Sequence, residues 1–251
     1  MTDTAVSTAE TPPSTAYHMP PKEHHRDVQG GAARAAVFGI SDGLLTNVSL
    51  ILGVVGANPA PAIVRLAGIA GLVAGAFSMA AGEYVSMSAQ KELLEREIDI
   101  ERRELERHPE AETRELAARF RERGLSDEDA LRLAGTIMRN PEVALDVHAR
   151  EELGVSPQQT GNPWQAAGSS FVSFAVGAII PLIPWFIASG TAAVIASIVL
   201  GAVSAVAIGA GVAVFTGRSK VWSAARQLGI AAVAAGVAFG VGTLVGVHSN
   251  L

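Results

Sequence analysis

Two acidic side chains lie inside long apolar stretches of this sequence. Asp42 occurs in VFGISDGLLTNVSLILG, and Glu83 occurs in SMAAGEYVSMSA. An unpaired carboxylate is costly in hydrocarbon, so ionisable groups at such positions usually face the interior of a helical bundle and mark ion pathways. Asp42 therefore indicates an ion pathway, unless it is protonated and held as a structural group by Ser41 or Thr46. Glu83 lies nearer a helix end, either at a pore entrance or in interfacial water.

Methionines accompany Glu83 at a spacing that bears on ligand chemistry. Met79, Glu83 and Met87 recur every four residues and therefore share one face of a helix. A thioether beside a carboxylate suits a first-row transition ion better than Mg²⁺ or Ca²⁺. Methionine by itself more often serves packing.

A highly charged segment between the apolar stretches offers further ligands. It contains glutamates spaced by three or four positions, and a histidine four positions before the last of them: Glu97, Glu101, Glu104, Glu112, Glu115, His148 and Glu152. At this helical spacing carboxylates lie within about 5–6 Å and repel one another unless a cation lies between them. Imidazole and carboxylate can also share one metal ion. Glutamate and arginine alternate here, however, so the charge pattern alone favours a solvated helix with many salt bridges.

The elements that must position these residues are five apolar segments. Each has the roughly 20 residues that a helix needs to cross about 30 Å of hydrocarbon. They are Ala33 to Ala57, Ala62 to Met87, Ala166 to Ser189, Thr191 to Phe215 and Leu228 to Val247. The runs lack the alternation typical of strands, and an unpaired sheet edge cannot face lipid. The sequence therefore predicts an all-α membrane protein with five transmembrane helices, the third of them kinked or broken by Pro181 and Pro184.

The positions of the basic residues predict the orientation in the bilayer. All but one of the 19 Lys and Arg residues precede the first span, follow the second or lie between the fourth and fifth. The exception is Arg65. Because basic residues favour the cytosolic side, the N-terminus and the charged segment are predicted to be cytosolic and the C-terminus to lie outside.

The charged segment, residues 90–163, is predicted to be an inserted cytosolic helical domain. It carries most of the 24 acidic residues of the chain and contains typical helix-boundary signals. These signals are a break at His108-Pro109, a stop at Gly124, a capping box from Ser126 to Asp129 and a start at Asn140-Pro141. They predict that the second span continues as a helix to about Arg107 and that three shorter helices follow.

The rest of the chain divides around this domain. Residues 1–31 lack an apolar run and are predicted to be a disordered tail, whereas residues 32–89 and 164–251 hold spans one and two and spans three to five. There are no cysteines, which excludes disulfides and thiolate chemistry. The sequence has no phosphate-binding G-x-x-x-x-G-K-[ST] loop and no nucleophile constellation, so it predicts neither an enzyme nor an ATP-driven pump. Any transport must then be driven by an ion gradient.

Several motifs occur in an order that resembles the vacuolar iron transporter family, in its prokaryotic branch. They are FGISDGLLTNVSLILG, AGAFSMAAGEYVSMSAQ, the Glu-rich inserted domain and NPEVALDVHAREELG, and the similarity runs from about His24 to the C-terminus. The resemblance implies five spans per subunit and a homodimer with the ion path at the subunit interface. It also implies export of cytosolic Fe²⁺ or related divalent ions in exchange for protons.

The same resemblance implies roles for individual residues. Asp42 and Met79 match the intramembrane aspartate and the pore methionine of the family. The carboxylates of its cytosolic metal-binding domain are matched by Glu101, Glu104, Glu112, Glu115 and Glu152. For these glutamates the resemblance favours metal binding over salt bridges alone.

Two departures from the family pattern affect the ligand set. His148 and Ala149 stand where eukaryotic members have two methionines, so an imidazole replaces a thioether. Gly71 stands where those members have a second intramembrane glutamate, and Glu83 is a differently placed replacement for it. Both departures bear on which metal is preferred.

The leading hypothesis is therefore a proton-coupled exporter of divalent transition metals in a prokaryotic plasma membrane. Fe²⁺ is the first candidate, and Mn²⁺, Co²⁺ and Zn²⁺ also suit carboxylate, imidazole and thioether ligands. These ions are the cargo, and neither another cofactor nor a nucleic-acid partner is expected. The alternative is a membrane-anchored metal buffer or sensor without transport. A third class, a transporter of organic solutes with a purely structural Glu-rich domain, predicts no stoichiometric metal binding.

Overall fold

The structure is a computed structural model and is described for residues 31–154 and 161–249. Within these residues it contains helices and turns but no strand, which confirms the all-α prediction. The helices are α1 (Gly31–Gly56), α2 (Pro61–Arg107), α3 (Pro109–Glu122), α4 (Asp127–Ile137), α5 (Pro141–His148), α6 (Pro163–Ile179), α7 (Pro184–Ile187), α8 (Gly190–Thr216) and α9 (Lys220–Ser249). A π-helical turn (Ala149–Leu153) follows α5, and a 3₁₀ turn (Ile180–Leu182) follows α6. The predicted disordered tail lies outside the described residues, except for Gly31.

Five segments are long and apolar enough to cross a membrane, as the sequence predicted. They are Ala35–Gly56, Pro61–Arg107, Pro163–Leu182, Gly190–Val214 and Lys220–Gly246. The second belongs to α2, which has 47 residues and is therefore about 70 Å long. A membrane core is only about 30 Å thick, so the C-terminal part of α2 extends beyond it.

Two boundaries of these spans differ from the prediction. The third span ends at Leu182 rather than at Ser189, because Pro181 and Pro184 lack the N–H groups that would continue the helix. The short helix α7 follows as a separate element, which confirms the predicted break. The last helix begins at Lys220, before the predicted Leu228. The prediction followed the start of the apolar run, and the more polar residues before that run are helical as well.

Helix α1 lies at the centre of the bundle and packs against α2, α6, α8 and α9. Its backbone touches that of α6, because a Cβ atom on Gly43 would overlap the carbonyl oxygen of Phe174. It touches α9 in the same way, because a Cβ atom on Gly242 would overlap the carbonyl oxygen of Gly53. Small residues allow such close approach of membrane helices, and at these positions only glycine fits.

The break after α6 is held by side chains from other helices. Asn47 Nδ2 on α1 donates a hydrogen bond to the carbonyl oxygen of Ala178 (2.6 Å), and Ser197 Oγ on α8 donates to that of Pro181 (2.7 Å). Both side chains are buried. Irregular backbone at membrane depth requires such partners, because hydrocarbon offers none.

The part of α2 beyond Met87, together with α3, α4, α5 and the π-helical turn, is called the inserted domain below. Its apolar core is formed by Leu116, Ala117, Phe120, Ala130 and Ala134. The predicted boundary signals are confirmed: α2 ends at Arg107, Gly124 follows α3 with a φ of 97°, Ser126 Oγ accepts from the Asp129 N–H, and Asn140 Oδ1 caps α5. Helices α3 and α5 pack against α2, and α4 packs against α3 and α5.

Candidate metal site

Four side chains of the inserted domain converge on one point. Glu101 comes from α2, Glu112 from α3, His148 from the end of α5, and Glu152 from the π-helical turn. Each offers a ligand atom, and these four atoms all lie within 4.8 Å of one another. We call this group the four-residue cluster. All four residues were predicted as metal ligands.

His148 lies at the centre of the cluster and is completely buried. Its Nδ1 atom is 3.1 Å from Glu101 Oε1, 3.6 Å from Glu112 Oε2 and 3.6 Å from Glu152 Oε1. Despite these distances, neither His148 Nδ1 nor Glu101 Oε1 makes a hydrogen bond of acceptable geometry. Buried polar atoms without partners are rare and need an explanation. A cation bound among the ligand atoms would supply it.

Local sequence signals bring the cluster residues together. The break at His108 turns the chain back, so α3 packs against α2 and carries Glu112 towards Glu101. His148 and Glu152 lie four residues apart on one face, at the junction of α5 and the π-helical turn. That turn ends at Gly154, which has a φ of 67°, a left-handed conformation that glycine adopts without strain. Such π-helical turns often occur at functional sites.

The donor set consists of one imidazole nitrogen and three carboxylates. Carboxylate oxygens suit hard cations, and imidazole nitrogen favours iron, zinc and the other later first-row metals. Mg²⁺ by contrast prefers an all-oxygen, mostly aqueous shell. The chemistry of the cluster therefore fits a divalent transition-metal ion better than an alkaline-earth ion.

Burial and mutual repulsion change the protonation of the cluster. Burial, followed by the charges of Glu101, Glu115 and Glu112, raises the pKa of Glu152 to about 7. Burial is also the main cause that raises the pKa of Glu101 and of Glu112, and neighbouring glutamates add to it. Burial lowers the pKa of His148, which keeps its imidazole neutral and able to bind a metal. Below about pH 7 the metal-free cluster therefore holds a proton that an incoming cation must displace.

Two of the predicted ligands lie beside the cluster rather than within it. Glu115 hydrogen-bonds Glu152 and also lies 3.9 Å from Arg119 Nη2. Glu104 Oε2 lies 3.8 Å from His108 Nε2. Both carboxylates are partly exposed, and both raise the pKa of Glu101 and of Glu112. They surround the four-residue cluster with negative charge, which attracts cations.

The three predicted intramembrane residues lie on α1 and α2, outside this cluster. Asp42 is half-buried, and its carboxylate is hydrogen-bonded by the side chain of Thr46. Met79 packs against the group formed by Ala76, Phe174 and Ala178. Glu83 follows one turn later on α2 and is half-buried. Gly43, the neighbour of Asp42 in the sequence, touches Phe174 of α6, and Met79 packs against the same residue group. Asp42 and Met79 therefore lie at the same level along α6.

Two amide side chains of the bundle, Gln227 and Asn47, were not predicted from the sequence to make contacts between helices. Gln227 Nε2 on α9 donates a hydrogen bond to Ser41 Oγ (2.5 Å), so Ser41 has a partner other than Asp42. Asn47 holds the end of α6, as described above. The available signal was an uncharged polar residue in or beside an apolar segment, because such groups usually bond to another helix.

Fold and site together define a polytopic helical membrane protein with a metal-compatible domain inserted after its second span. The chain belongs to the VIT family, whose model matches residues 33–243. This confirms the resemblance predicted from the motifs. Members of this family are transporters, so the prediction that the chain is not an enzyme is confirmed as well.

Curated relatives cover nearly the whole chain. A vacuolar iron transporter of Centaurea cyanus is 32% identical over 221 residues, which are 88% of this chain and 90% of the relative. The vacuolar iron transporter 1 of Arabidopsis thaliana is 31% identical, with 86% of this chain and 88% of the relative covered. The vacuolar iron transporter of Acanthamoeba castellanii is 35% identical, with 88% and 82% covered.

Proposed function

We propose that this protein exports divalent transition-metal ions, Fe²⁺ foremost and Mn²⁺ as a further candidate, in exchange for protons. The observation that carries the proposal is the four-residue cluster, in which a buried imidazole and three carboxylates converge. Some of their buried atoms, on His148 and Glu101, have no hydrogen-bond partner. The relatives named as iron transporters support iron as the cargo. The imidazole supports a transition metal over Mg²⁺ and Ca²⁺.

The proposed route leads from the inserted domain into the membrane. Glu101 and Met79 lie on the same continuous helix α2, separated by a rise of about 33 Å. In the proposal, ions collect at the cluster, pass Glu83 at the entrance and reach Asp42 and Met79. A carboxylate and a thioether suit a first-row ion at that depth.

We further propose that the working unit is a homodimer with the ion path between the subunits. The face of α1 that carries Asp42 is exposed in a single chain: Phe38 is 62% exposed, and Thr46, which hydrogen-bonds Asp42, is exposed as well. A carboxylate facing lipid is costly. A second copy packed on this face would shield Asp42 from lipid and supply a second carboxylate to the path.

Proton exchange follows from the requirement that metal-binding carboxylates be deprotonated. A carboxylate that holds either a metal ion or a proton couples the movement of the two. The distribution of Lys and Arg supports a cytosolic inserted domain, so the proposed direction is metal out of the cytosol and protons in. The proposed location is a prokaryotic plasma membrane.

Reconstituted transport tests the proposal. Purified protein in liposomes with an acidic lumen is expected to accumulate Fe²⁺, kept reduced, and to stop when a protonophore dissipates the pH gradient. Asp42→Ala is expected to abolish accumulation. Thr243→Ala on α9, which removes a hydroxyl that donates to the Phe239 carbonyl oxygen of the same helix, is expected to transport normally. Normal transport by Asp42→Ala would exclude Asp42 from the path.

The same vesicles separate the alternative functions. A membrane-anchored buffer or sensor would bind Fe²⁺ at the cluster but would not accumulate it in the lumen, with or without a gradient. A transporter of organic solutes would show no stoichiometric Fe²⁺ or Mn²⁺ binding by the detergent-solubilised protein. Either result would overturn the proposal.

A further inference from the structure

One ion pair of the inserted domain joins residues that are far apart in the sequence. Arg123 Nη1 donates to Glu151 Oε1 at 2.6 Å, and Arg123 Nη2 contacts Glu151 Oε2 at 2.5 Å. The contact is therefore bidentate, the geometry in which a guanidinium and a carboxylate bind most strongly. The side chain of Glu151 is only 13% exposed.

Several other ion pairs of this domain join residues that are close in the sequence. Arg102–Asp99, Arg132–Asp129 and Arg150–Asp146 join residues three or four positions apart, and Arg121–Asp127 joins residues six positions apart. Exposed pairs of that kind contribute little. The Arg123–Glu151 pair instead connects α3 to the π-helical turn, across 28 positions of the chain.

The two elements joined by this pair carry two of the cluster residues. Arg123 is the C-terminal cap of α3, the helix that carries Glu112. Glu151 lies in the π-helical turn, directly before Glu152. The pair therefore joins the C-terminal end of α3 to the turn that carries Glu152.

Repulsion among the cluster carboxylates gives a physical reason for an ion pair that holds the π-helical turn in place. Glu101, Glu112 and Glu152 repel one another in the metal-free protein, and Glu152 lies in a short turn that follows α5 rather than in a long helix. Without a tie, repulsion would favour movement of the turn away from α2 and α3. Arg123 opposes this movement by binding Glu151, without itself belonging to the cluster.

We propose that Arg123 and Glu151 are positioning residues for the metal site, which hold Glu152 in place for metal binding. The inference rests on the proposed metal-binding role of the four-residue cluster. It assigns a role in metal affinity to two residues that offer no ligand to the ion.

Charge and position predict opposite effects for one substitution. Arg123→Gln removes a positive charge near a cation site, so electrostatics alone would tighten metal binding. Loss of positioning would weaken it, and groups that orient metal ligands typically change affinity by about 10-fold or more when removed. The sign of the change therefore distinguishes the two explanations.

The experiment is a Co²⁺ titration of the full-length protein in detergent, followed by the visible d–d absorption of the bound ion. We expect Arg123→Gln to raise the Kd about 10-fold and to alter the d–d spectrum, with Arg123→Lys intermediate. Glu151→Gln should weaken binding similarly, and the double variant should be no weaker than either single variant. Tighter or unchanged binding by Arg123→Gln, or additive losses in the double variant, would overturn the inference.

Arg121→Gln is the matched control. Arg121 lies on the same helix and makes a single contact of 3.2 Å with the exposed Asp127, so its loss should change the Kd less than twofold while testing for a general effect on α3. His148→Ala tests the proposed site separately. If wild type and His148→Ala bind Co²⁺ equally, the proposed site is wrong. If His148→Ala binds more weakly but Arg123→Gln binds as wild type does, the site stands and the positioning role is wrong.

Discussion

The membrane bundle and the inserted domain place their candidate ligands in different ways. In the inserted domain, one chain brings four groups from separate elements within 4.8 Å of one another. In the bundle, Asp42 lies on a face of α1 that is exposed in the single chain. The candidate ligands of the domain therefore meet within one chain, whereas the proposed membrane path requires a further surface to cover Asp42.

The glycines of the two regions show the same contrast. In the bundle some of them lie where helix backbones touch, as at Gly43 and Gly242. In the inserted domain, Gly135 has nothing within 4 Å of a Cβ atom, and Gly124 and Gly154 have positive φ angles at helix ends. Glycine thus allows close packing in the membrane and chain reversal in the domain.

The largest expected effect concerns the imidazole that completes the domain site. His148→Ala should raise the Kd for Fe²⁺ or Co²⁺ on the order of 100-fold, because it removes the only nitrogen ligand of the cluster. Isothermal titration of the detergent-solubilised protein measures this. Discrimination against Mg²⁺ should fall as well, since the remaining ligands are oxygens.

The exposed His108 provides the control for His148. Its Nε2 atom lies 3.8 Å from Glu104, outside the cluster, so His108→Ala should change the Kd less than threefold. At saturating metal, His148→Ala should still transport, with a raised KM and a similar kcat. Loss of kcat instead would show that the domain takes part in translocation and not only in ion collection.

A second expected effect tests the packing of the bundle. Gly43→Ala should destabilise the protein by about 2 kcal/mol, because its methyl group would overlap the Phe174 carbonyl oxygen and overpacking typically costs 1–3 kcal/mol. Gly135→Ala, in the open helix α4, should stabilise by about 1 kcal/mol through helix propensity. Thermal unfolding of both variants in the same detergent measures the difference. Equal effects would contradict the close contact of α1 and α6.

The helix boundaries could be predicted because their signals are local. His108-Pro109, Gly124 and Asn140-Pro141 each act within one turn of the chain, and each marks a helix end in the structure. The π-helical turn was not predicted. The turn follows α5, which packs against α2, and its Glu151 binds Arg123 of α3; neither contact has a signal in short-range spacing.

The cluster itself could not be derived from charge spacing. The salt bridges favoured by the charge pattern are present on the outer faces, as in Arg102–Asp99 and Arg150–Asp146. Glu101 and Glu112 instead point inward, and they meet His148 only through the tertiary fold. The same glutamate-rich sequence is therefore compatible with surface salt bridges and with a metal site. From the sequence, only the family resemblance favoured the metal site.

A third prediction concerns pH and should affect the domain site. The pKa of Glu152 is raised from 4.5 to about 7, so between these values the metal-free cluster holds a proton that an ion must displace. Metal affinity should be highest above pH 7 and should fall as pH decreases, by about 10-fold from pH 8 to pH 6 for one displaced proton. Titrations at several pH values measure this slope.

Glu152→Gln serves as the comparison for the pH slope. It should bind more weakly at every pH, because it lacks one carboxylate, and its affinity should vary less between pH 6 and pH 8. His148 contributes little to the slope, because burial lowers its pKa below the ordinary value of 6.5. An unchanged slope in Glu152→Gln would assign the displaced proton to another carboxylate of the cluster.

The smallest expected effect separates the cluster from the carboxylates around it. Glu104 lies beside the cluster and acts on it only through its charge, raising the pKa of Glu101 and of Glu112. Glu104→Gln should therefore raise the Kd for Co²⁺ only about threefold, the size expected for one partly solvated charge. Glu101→Gln should raise it at least 10-fold, because it replaces a ligand. Equal losses in the two variants would place Glu104 among the ligands and extend the site along α2.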